Sequence, residues 1–105
     1  MVKQIDNAEL ERMRQSGAVV LLDVRTDPEV AGGIITGARH IPLHLVPARY
    51  TELEPHVATV IYCQSGGRSA QACAWLADKG FAQVLNLQGG ITAWLREGRP
   101  VTAPE

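Results

Sequence analysis

The stretch of residues 59–76 limits, more than any other, how this chain can fold. It begins with a short β-branched run, passes through Cys63 and a loop with two glycines, and continues into an alanine-rich segment. The run at 59–61 predicts a buried strand, and residues 69–76 predict a helix. A strand, a tight loop and a helix N-terminus concentrate backbone N–H groups and positive dipole potential at one point. We therefore expect Cys63 at the end of a strand, facing the start of a helix.

Cys63 is the candidate nucleophile. A thiol at such a point ionises easily, because the surroundings stabilise the thiolate and not the thiol. Gly66 and Gly67 allow positive φ angles where needed, so that successive N–H groups can face an anion. Cys73, inside the predicted helix, is expected to pack in the core instead. The candidate binding residues form the loop after Cys63: Gln64, Ser65, Gly66, Gly67, Arg68 and Ser69.

The charged side chain of this loop, Arg68, allows two interpretations. It either takes part in anion binding, through its side chain or by bracing the loop, or it only caps or salt-bridges the loop. Gln64 and Ser65 are expected at the rim of the site, where they would affect specificity rather than the chemical step.

The order of strand and helix patterns predicts an α/β fold with a mainly parallel sheet. Short strands are expected at 3–5 and 40–42, and a capping-box pattern beginning at Asp6 predicts a helix that stops at Gly17. Residues 26–36 are expected to be loop-like, with a helical turn starting at 27. The remaining patterns are strands at 18–24, 59–61 and 83–87, and helices at 46–53, 69–76 and 90–97.

Three separate stretches are expected to meet at the carboxyl edge of this sheet, because each ends or follows a parallel strand. Ligands bind beyond that edge in such sheets. Arg25 ends one strand, Cys63 another, and Gly89 and Gly90 follow a third. Asp23 lies so close to a buried strand that it must be paired, and its expected role with Arg25 is to hold neighbouring loops. Gly89 and Gly90 either form only a turn or keep side chains out of the substrate entrance.

These residues also resemble a known family, the rhodanese-type sulfurtransferases. The loop is similar to the family's active-site pattern C-x-x-G-x-R-S, and the similarity extends over nearly the whole chain. The matching stretches are Cys63-Gln64-Ser65-Gly66-Gly67-Arg68-Ser69, Leu22-Asp23-Val24-Arg25, residues 33–42, residues 86–91 with Ala93-Trp94, and Gly98-Arg99-Pro100-Val101.

The resemblance implies a rhodanese-like fold, with a five-stranded sheet flanked by helices on both sides. It also implies transfer of a sulfane sulfur, from a donor such as thiosulfate to a thiol or cyanide, through a persulfide on Cys63. The expected partners are a small anionic donor, that acceptor and a sulfur-carrier protein, and no metal or organic cofactor is implied. Many members carry a basic residue at the position of Gln64. The absence of that positive charge here affects how the loop handles a small dianion such as thiosulfate.

Two other functions stay open. One is a sulfur-relay or interaction module that carries a persulfide to a protein partner. The other is a cysteine-dependent phosphatase, because related folds host that chemistry. Phosphatase loops place five residues between cysteine and arginine, whereas four separate Cys63 from Arg68, and Tyr62 stands where a histidine is common. The shorter loop favours a sulfur-sized pocket.

The composition excludes several other classes of protein. The chain has 105 residues, 46% of them hydrophobic, and a net charge of −1. These values predict one globular domain over residues 1–105 without the positive patch that binds nucleic acid or an anionic membrane. The sequence has no long apolar run and no secretory signal, and two cysteines are too few for a disulfide framework. These features favour the cytoplasm. The three histidines match no metal-ligand spacing: His40, His44 and His56.

Overall fold

A five-stranded parallel sheet forms the centre of the fold, in a computed structural model that describes residues 2–104. The order of its strands is β1-β6-β5-β2-β4, and every neighbouring pair is parallel. The prediction of a mainly parallel five-stranded sheet is therefore confirmed. In chain order the strands are β1 (Lys3–Ile5), β2 (Val19–Asp23), β3 (Ile34–Ile35), β4 (Arg39–His40), β5 (Ala58–Tyr62), β6 (Val84–Leu87) and β7 (Val101–Thr102).

Helices cover both faces of the sheet. They are α1 (Asn7–Ser16), α2 (Asp27–Ala31), α3 (Val46–Arg49), α4 (Gly67–Asp78) and α5 (Gly90–Arg96). The first core contains Leu10 of α1, Val30 of α2 and Trp94 of α5. The second contains Val46 of α3 and Leu76 of α4. A sheet buried on both faces explains why its central strands are almost entirely apolar.

Strand β5 carries the site at its carboxyl end. Its side chains alternate between the two cores, with Val60 and Tyr62 in one, and Ile61 and Cys63, which follows the strand, in the other. It lies between β2 and β6, so it is paired along both edges. Because its position is fixed on all sides, the loop that follows Tyr62 begins from a rigid point.

Capping explains where the helices begin and end. The Asp6 carboxylate accepts a hydrogen bond from the Glu9 N–H at 2.8 Å and caps α1, as its sequence pattern predicts. Helix α4 begins at Gly67, two residues before the predicted start. After α4 the chain turns at Gly80, with a φ of 92°, and the Phe81 N–H donates to the Leu76 carbonyl at 3.2 Å. Phe81 is buried in the second core, which matches the expected contact after the helix.

Further local predictions differ from the structure, and the strand expected at 40–42 is Arg39–His40. Residues 34–35 were expected in a loop but form β3, which pairs antiparallel with β7 in a separate two-stranded sheet. Strands of two residues are too short to show a period, and their partner is distant in the chain. The helix predicted over 46–53 is shorter, since α3 gives way to a 3-10 turn at Tyr50–Glu52.

Tyr62 joins the small sheet to the large one, which leads to a prediction on stability. Its hydroxyl accepts a hydrogen bond from the buried Ile35 N–H at 3.0 Å. Tyr62→Phe leaves that N–H unpaired, so we expect the free energy of unfolding to fall by about 1–3 kcal/mol. Urea denaturation measures this loss. Tyr50→Phe is the control, expected within about 0.5 kcal/mol of wild type, and equal stability of the Tyr62 variant would contradict the prediction.

Candidate active site

Cys63 lies at the floor of the loop that joins β5 to α4. Its side chain is 1% exposed, and its Sγ atom accepts hydrogen bonds from the Gly66 N–H at 3.1 Å and the Ser69 hydroxyl at 3.4 Å. The thiol thus sits between the end of a parallel strand and the N-terminus of a helix of 12 residues. This is the placement that the sequence pattern predicts.

The surroundings of Cys63 act on its pKa in opposite directions. Burial has the largest single effect and raises the pKa, because it disfavours the charged thiolate. Hydrogen bonds from the Ser69 hydroxyl and from the N–H groups of Ser69, Gly66 and Ser65 lower it. Together they outweigh burial, so the pKa of Cys63 lies below its ordinary value. A lowered pKa is characteristic of a reactive cysteine.

The two loop glycines have different roles. Gly66 has a φ of 123°, a conformation that side-chain-bearing residues rarely adopt, and it turns its own N–H towards the Cys63 sulfur. Gly67 has no positive φ and is the first residue of α4. The positive φ that the sequence suggested for either glycine is therefore needed at Gly66 alone.

Asn86 of β6 is hydrogen-bonded to the Cys63 loop. The sequence analysis did not single it out as a site residue. Its Oδ1 lies 2.5 Å from the Ser69 hydroxyl oxygen, and this Oδ1 and the Cys63 sulfur share the one hydrogen that the hydroxyl donates. Its Nδ2 donates to the Gly66 carbonyl at 3.2 Å and to Oε1 of Gln4 at 3.0 Å. An asparagine in an otherwise apolar strand was the available signal, since a buried amide must find partners.

Gly90 lets helix α5 press against the loop. The N–H groups of Ile91 and Thr92 donate to the carbonyls of Cys63 and Gln64 at 3.0 and 3.2 Å. A Cβ atom on Gly90 would overlap the Cys63 carbonyl and lie 2.5 Å from that of Gln64. On Gly89, a Cβ would lie 2.6 Å from that of Ala93. Both glycines therefore serve close packing, and the Gln64 amide also donates to the Thr92 hydroxyl at 3.1 Å.

Asp23 and Arg25 form a buried pair beside the loop. The guanidinium donates three hydrogen bonds to the Asp23 carboxylate, at 2.8–3.1 Å. It also donates to the carbonyls of Glu29 at 3.3 Å and Gly33 at 2.7 Å. The pair thereby ties the end of β2 to α2 and to the segment after it, the loop-holding contact expected from the sequence.

Arg68 is engaged by Glu29, another residue that the sequence analysis did not single out. The two terminal nitrogens of the guanidinium donate to the two carboxylate oxygens at 2.6 and 2.8 Å. The hydrogen bonds from Arg68 contribute most to holding the pKa of Glu29 at about 2, so that it stays ionised. The structure shows this salt bridge, and the role of Arg68 in anion binding stays a prediction.

Comparison with known proteins adds to this geometry. The family model described as a rhodanese-like domain matches residues 6–97. The chain belongs to the rhodanese-like family.

Relatives and solved structures of this family cover nearly the whole chain. A sulfurtransferase from Allochromatium vinosum is 48% identical over 106 residues, which cover 100% of this chain and 99% of the relative. The thiosulfate sulfurtransferase GlpE from Ectopseudomonas mendocina is 34% identical, covering 88% and 84%. The crystal structure of a rhodanese-related protein from Thermoplasma volcanium has a TM-score of 0.87 at 31% identity, covering 96% and 98%. A protein from Rhodopseudomonas palustris, described as a possible tyrosine phosphatase, has a TM-score of 0.83 at 27% identity, covering 96% and 85%.

The other cysteine and the histidines lie outside the loop of residues 63–69. Cys73 is fully buried in α4, and burial raises its pKa to about 12. His40 contacts the Arg25 carbonyl at 2.7 Å through its ring. Within residues 2–104, no three His, Cys, Asp or Glu side chains are grouped so that they could hold a metal ion. No helix of the same residues is long and apolar enough to cross a membrane.

The hydrogen bonds to Sγ predict how Cys63 titrates. In a Cys73→Ser background, thiolate absorbance in the ultraviolet should show a midpoint below the ordinary value of about 8.5. Adding Ser69→Ala should raise the midpoint, because it removes a hydrogen bond to the thiolate. Adding Arg68→Ala should raise it less, because the Arg68 guanidinium binds the Glu29 carboxylate instead of Sγ and acts on the thiolate only through a screened charge. A midpoint near 8.5 in the Cys73→Ser protein would contradict the prediction.

Proposed function

We propose that this protein is a sulfurtransferase that carries a sulfane sulfur as a persulfide on Cys63. The observation that carries the proposal is the Cys63 sulfur itself, which accepts hydrogen bonds from the loop and has a lowered pKa at the end of a parallel strand. Membership of the rhodanese-like family, with relatives named as sulfurtransferases, supports the same chemistry.

In the first step, the Cys63 thiolate attacks the outer sulfur of a donor. With thiosulfate, a bond forms between Sγ and the outer sulfur, and the bond from that sulfur to the sulfite sulfur breaks. Sulfite leaves with the electron pair of the broken bond. The N–H groups of Ser65, Gly66 and Ser69 face the reacting sulfur and stabilise its negative charge, and because the fold fixes them in advance they need little reorganisation.

In the second step, an acceptor attacks the outer sulfur of the Cys63 persulfide. A thiol or cyanide forms the new bond to this sulfur, and the electron pair of the broken bond returns to Sγ as the thiolate. The loop is then ready for another donor. The double displacement needs no metal or organic cofactor. We place it in the cytoplasm, where both free thiols stay reduced.

The remaining site residues act by holding the loop. Asn86 orients the Ser69 hydroxyl, and Gly90 allows α5 to fix the first two loop carbonyls. The Asp23–Arg25 pair fixes the neighbouring segment. We assign these residues positioning roles and reserve the chemical step for Cys63.

The two alternatives predict different measurements. A relay module would form the persulfide but would turn over small donors poorly unless a sulfur-carrier protein accepted the sulfur. A phosphatase would hydrolyse p-nitrophenyl phosphate and would not gain sulfur. The Glu29 carboxylate bound to Arg68 disfavours a phosphoryl dianion, so we expect no hydrolysis.

Substitution of each cysteine tests the proposal. Cys63→Ser should abolish sulfur transfer, because a hydroxyl is a poor nucleophile at neutral pH, and should change the free energy of unfolding by no more than about 1 kcal/mol. Cys73→Ser, the matched control, should keep transfer and lose stability, because it buries a hydroxyl among apolar groups. Mass spectrometry after exposure to thiosulfate should show a gain of about 32 Da, one sulfur atom, on Cys63 alone. Sulfur transfer by Cys63→Ser would overturn the proposal.

A further inference from the structure

The two arginines beside the Cys63 loop are both neutralised by carboxylates. Arg25 is bound by Asp23 in the buried pair, and Arg68 is bound by both oxygens of Glu29. Residues 63–69 contain no other charged side chain. An anionic donor at the loop therefore meets backbone N–H groups, while each nearby positive charge is already balanced.

The position of Glu29 is fixed by the start of helix α2. Its Oε1 accepts hydrogen bonds from the N–H and the hydroxyl of Thr26, both at 3.0 Å, and the Thr26 hydroxyl in turn accepts from the Glu29 N–H. This is a complete capping box. Turning Glu29 away from Arg68 would break this capping box, so the start of α2 favours the ion pair.

An apolar groove lies beside the same loop. Leu95 and Val101 are the large apolar side chains that stay exposed in residues 2–104, at 50% and 37%. With Ile91 they line a groove of about 100 Å³ that also contacts Gln64 and Glu29. A donor seated over Cys63 could place an organic group in this groove.

We infer that Glu29 determines donor specificity: by neutralising Arg68 it disfavours doubly charged donors, and the site prefers sulfane donors with at most one negative charge and an organic group. The inference rests on the proposed sulfur transfer and names its substrate class. Organic thiosulfonates and organic persulfides share this chemistry. Thiosulfate, a dianion without an organic group, is expected to load Cys63 less efficiently than these donors.

The transfer from these donors balances as follows. With a thiosulfonate, R–SO2–S⁻, the Cys63 thiolate bonds to the terminal sulfur, the bond to the sulfonyl sulfur breaks, and the sulfinate R–SO2⁻ leaves with the electron pair. Cys63 keeps the added sulfur as a persulfide anion. With a neutral persulfide, R–S–SH, the same attack releases R–S⁻, and the hydrogen stays on the transferred sulfur. Neither reaction needs an oxidant or a reductant.

The experiment compares thiosulfate with methanethiosulfonate, which donates the same sulfur but carries one charge. The kcat/KM for thiosulfate is divided by the kcat/KM for methanethiosulfonate, in wild type and in Glu29→Gln. Comparing this donor ratio between the two proteins cancels the intrinsic reactivity of each donor. Glutamine keeps the capping box and frees the Arg68 charge. That charge acts on two units of donor charge in thiosulfate and on one in methanethiosulfonate, so we expect gains of about tenfold and about threefold. The ratio should rise about threefold and return towards wild type at high salt.

Glu52→Gln is the matched control for net charge. Like Glu29, Glu52 is an ion-paired carboxylate. Its partners are Arg49, at 2.9 and 3.0 Å, and Arg39, at 3.4 Å, and neither belongs to the loop. The donor ratio should stay at the wild-type value in this variant. An equal shift in Glu52→Gln, or an unchanged ratio in Glu29→Gln, would overturn the inference.

A second variant keeps the test valid if Glu29→Gln does not fold. Arg68→Gln leaves the Glu29 charge unbalanced, so the ratio should fall about threefold, and a rise or no change would overturn the inference. Failure of the proposed function is distinct, because wild type would then gain no sulfur on Cys63 from any donor.

The organic group is tested by replacing methanethiosulfonate with benzenethiosulfonate, which has the same charge and a larger apolar group. Leu95→Ser should lower the preference for benzenethiosulfonate about threefold, because it removes apolar contact from an exposed position. The thiosulfate to methanethiosulfonate ratio should not change in this variant, which makes it its own control. An unchanged preference would overturn the assignment of the groove.

Discussion

The rest of the site depends on the hydrogen bonds between helix α5 and the carbonyls of Cys63 and Gln64. Two N–H groups at the start of α5 hold these carbonyls, and this close approach requires glycine at position 90. With its carbonyls fixed on one side, the loop can direct the N–H groups of Ser65, Gly66 and Ser69 towards the sulfur. Backbone groups fixed in this way need no rearrangement when charge develops, which is the general basis of preorganised catalysis.

Charge around this loop is balanced rather than accumulated. An unpaired arginine would attract every anion, whereas the pairs Asp23–Arg25 and Glu29–Arg68 hold the chain together and leave recognition to directional hydrogen bonds. The same Glu29 completes the capping box of Thr26 at the start of α2 and pairs with Arg68. One carboxylate therefore links the stability of a short helix to the electrostatics of the site.

Much of the fold could be predicted, because the strand β5, the glycine loop and the helix α4 each have a strong local pattern. The position of Cys63 followed from those patterns. The partner of Arg68 could not be predicted, since Glu29 lies 39 positions away and its own pattern indicates only a helix start. The small β3–β7 sheet was missed for a related reason: its strands have two residues each and pair across most of the chain. Local patterns predict elements, whereas long-range contacts of single side chains depend on how those elements pack.

The two cysteines show what the loop contributes beyond burial. Cys63 and Cys73 lie in the same core and are almost equally buried, at 1% and 0% exposure. Burial alone raises the pKa of Cys73 to about 12, whereas the pKa of Cys63 is lowered although burial acts on it in the same direction. The difference comes from hydrogen bonds: Cys63 receives several from the loop, and only burial shifts Cys73. The hydrogen bonds that face Cys63 thus lower the pKa of a buried thiol, against the effect of its burial.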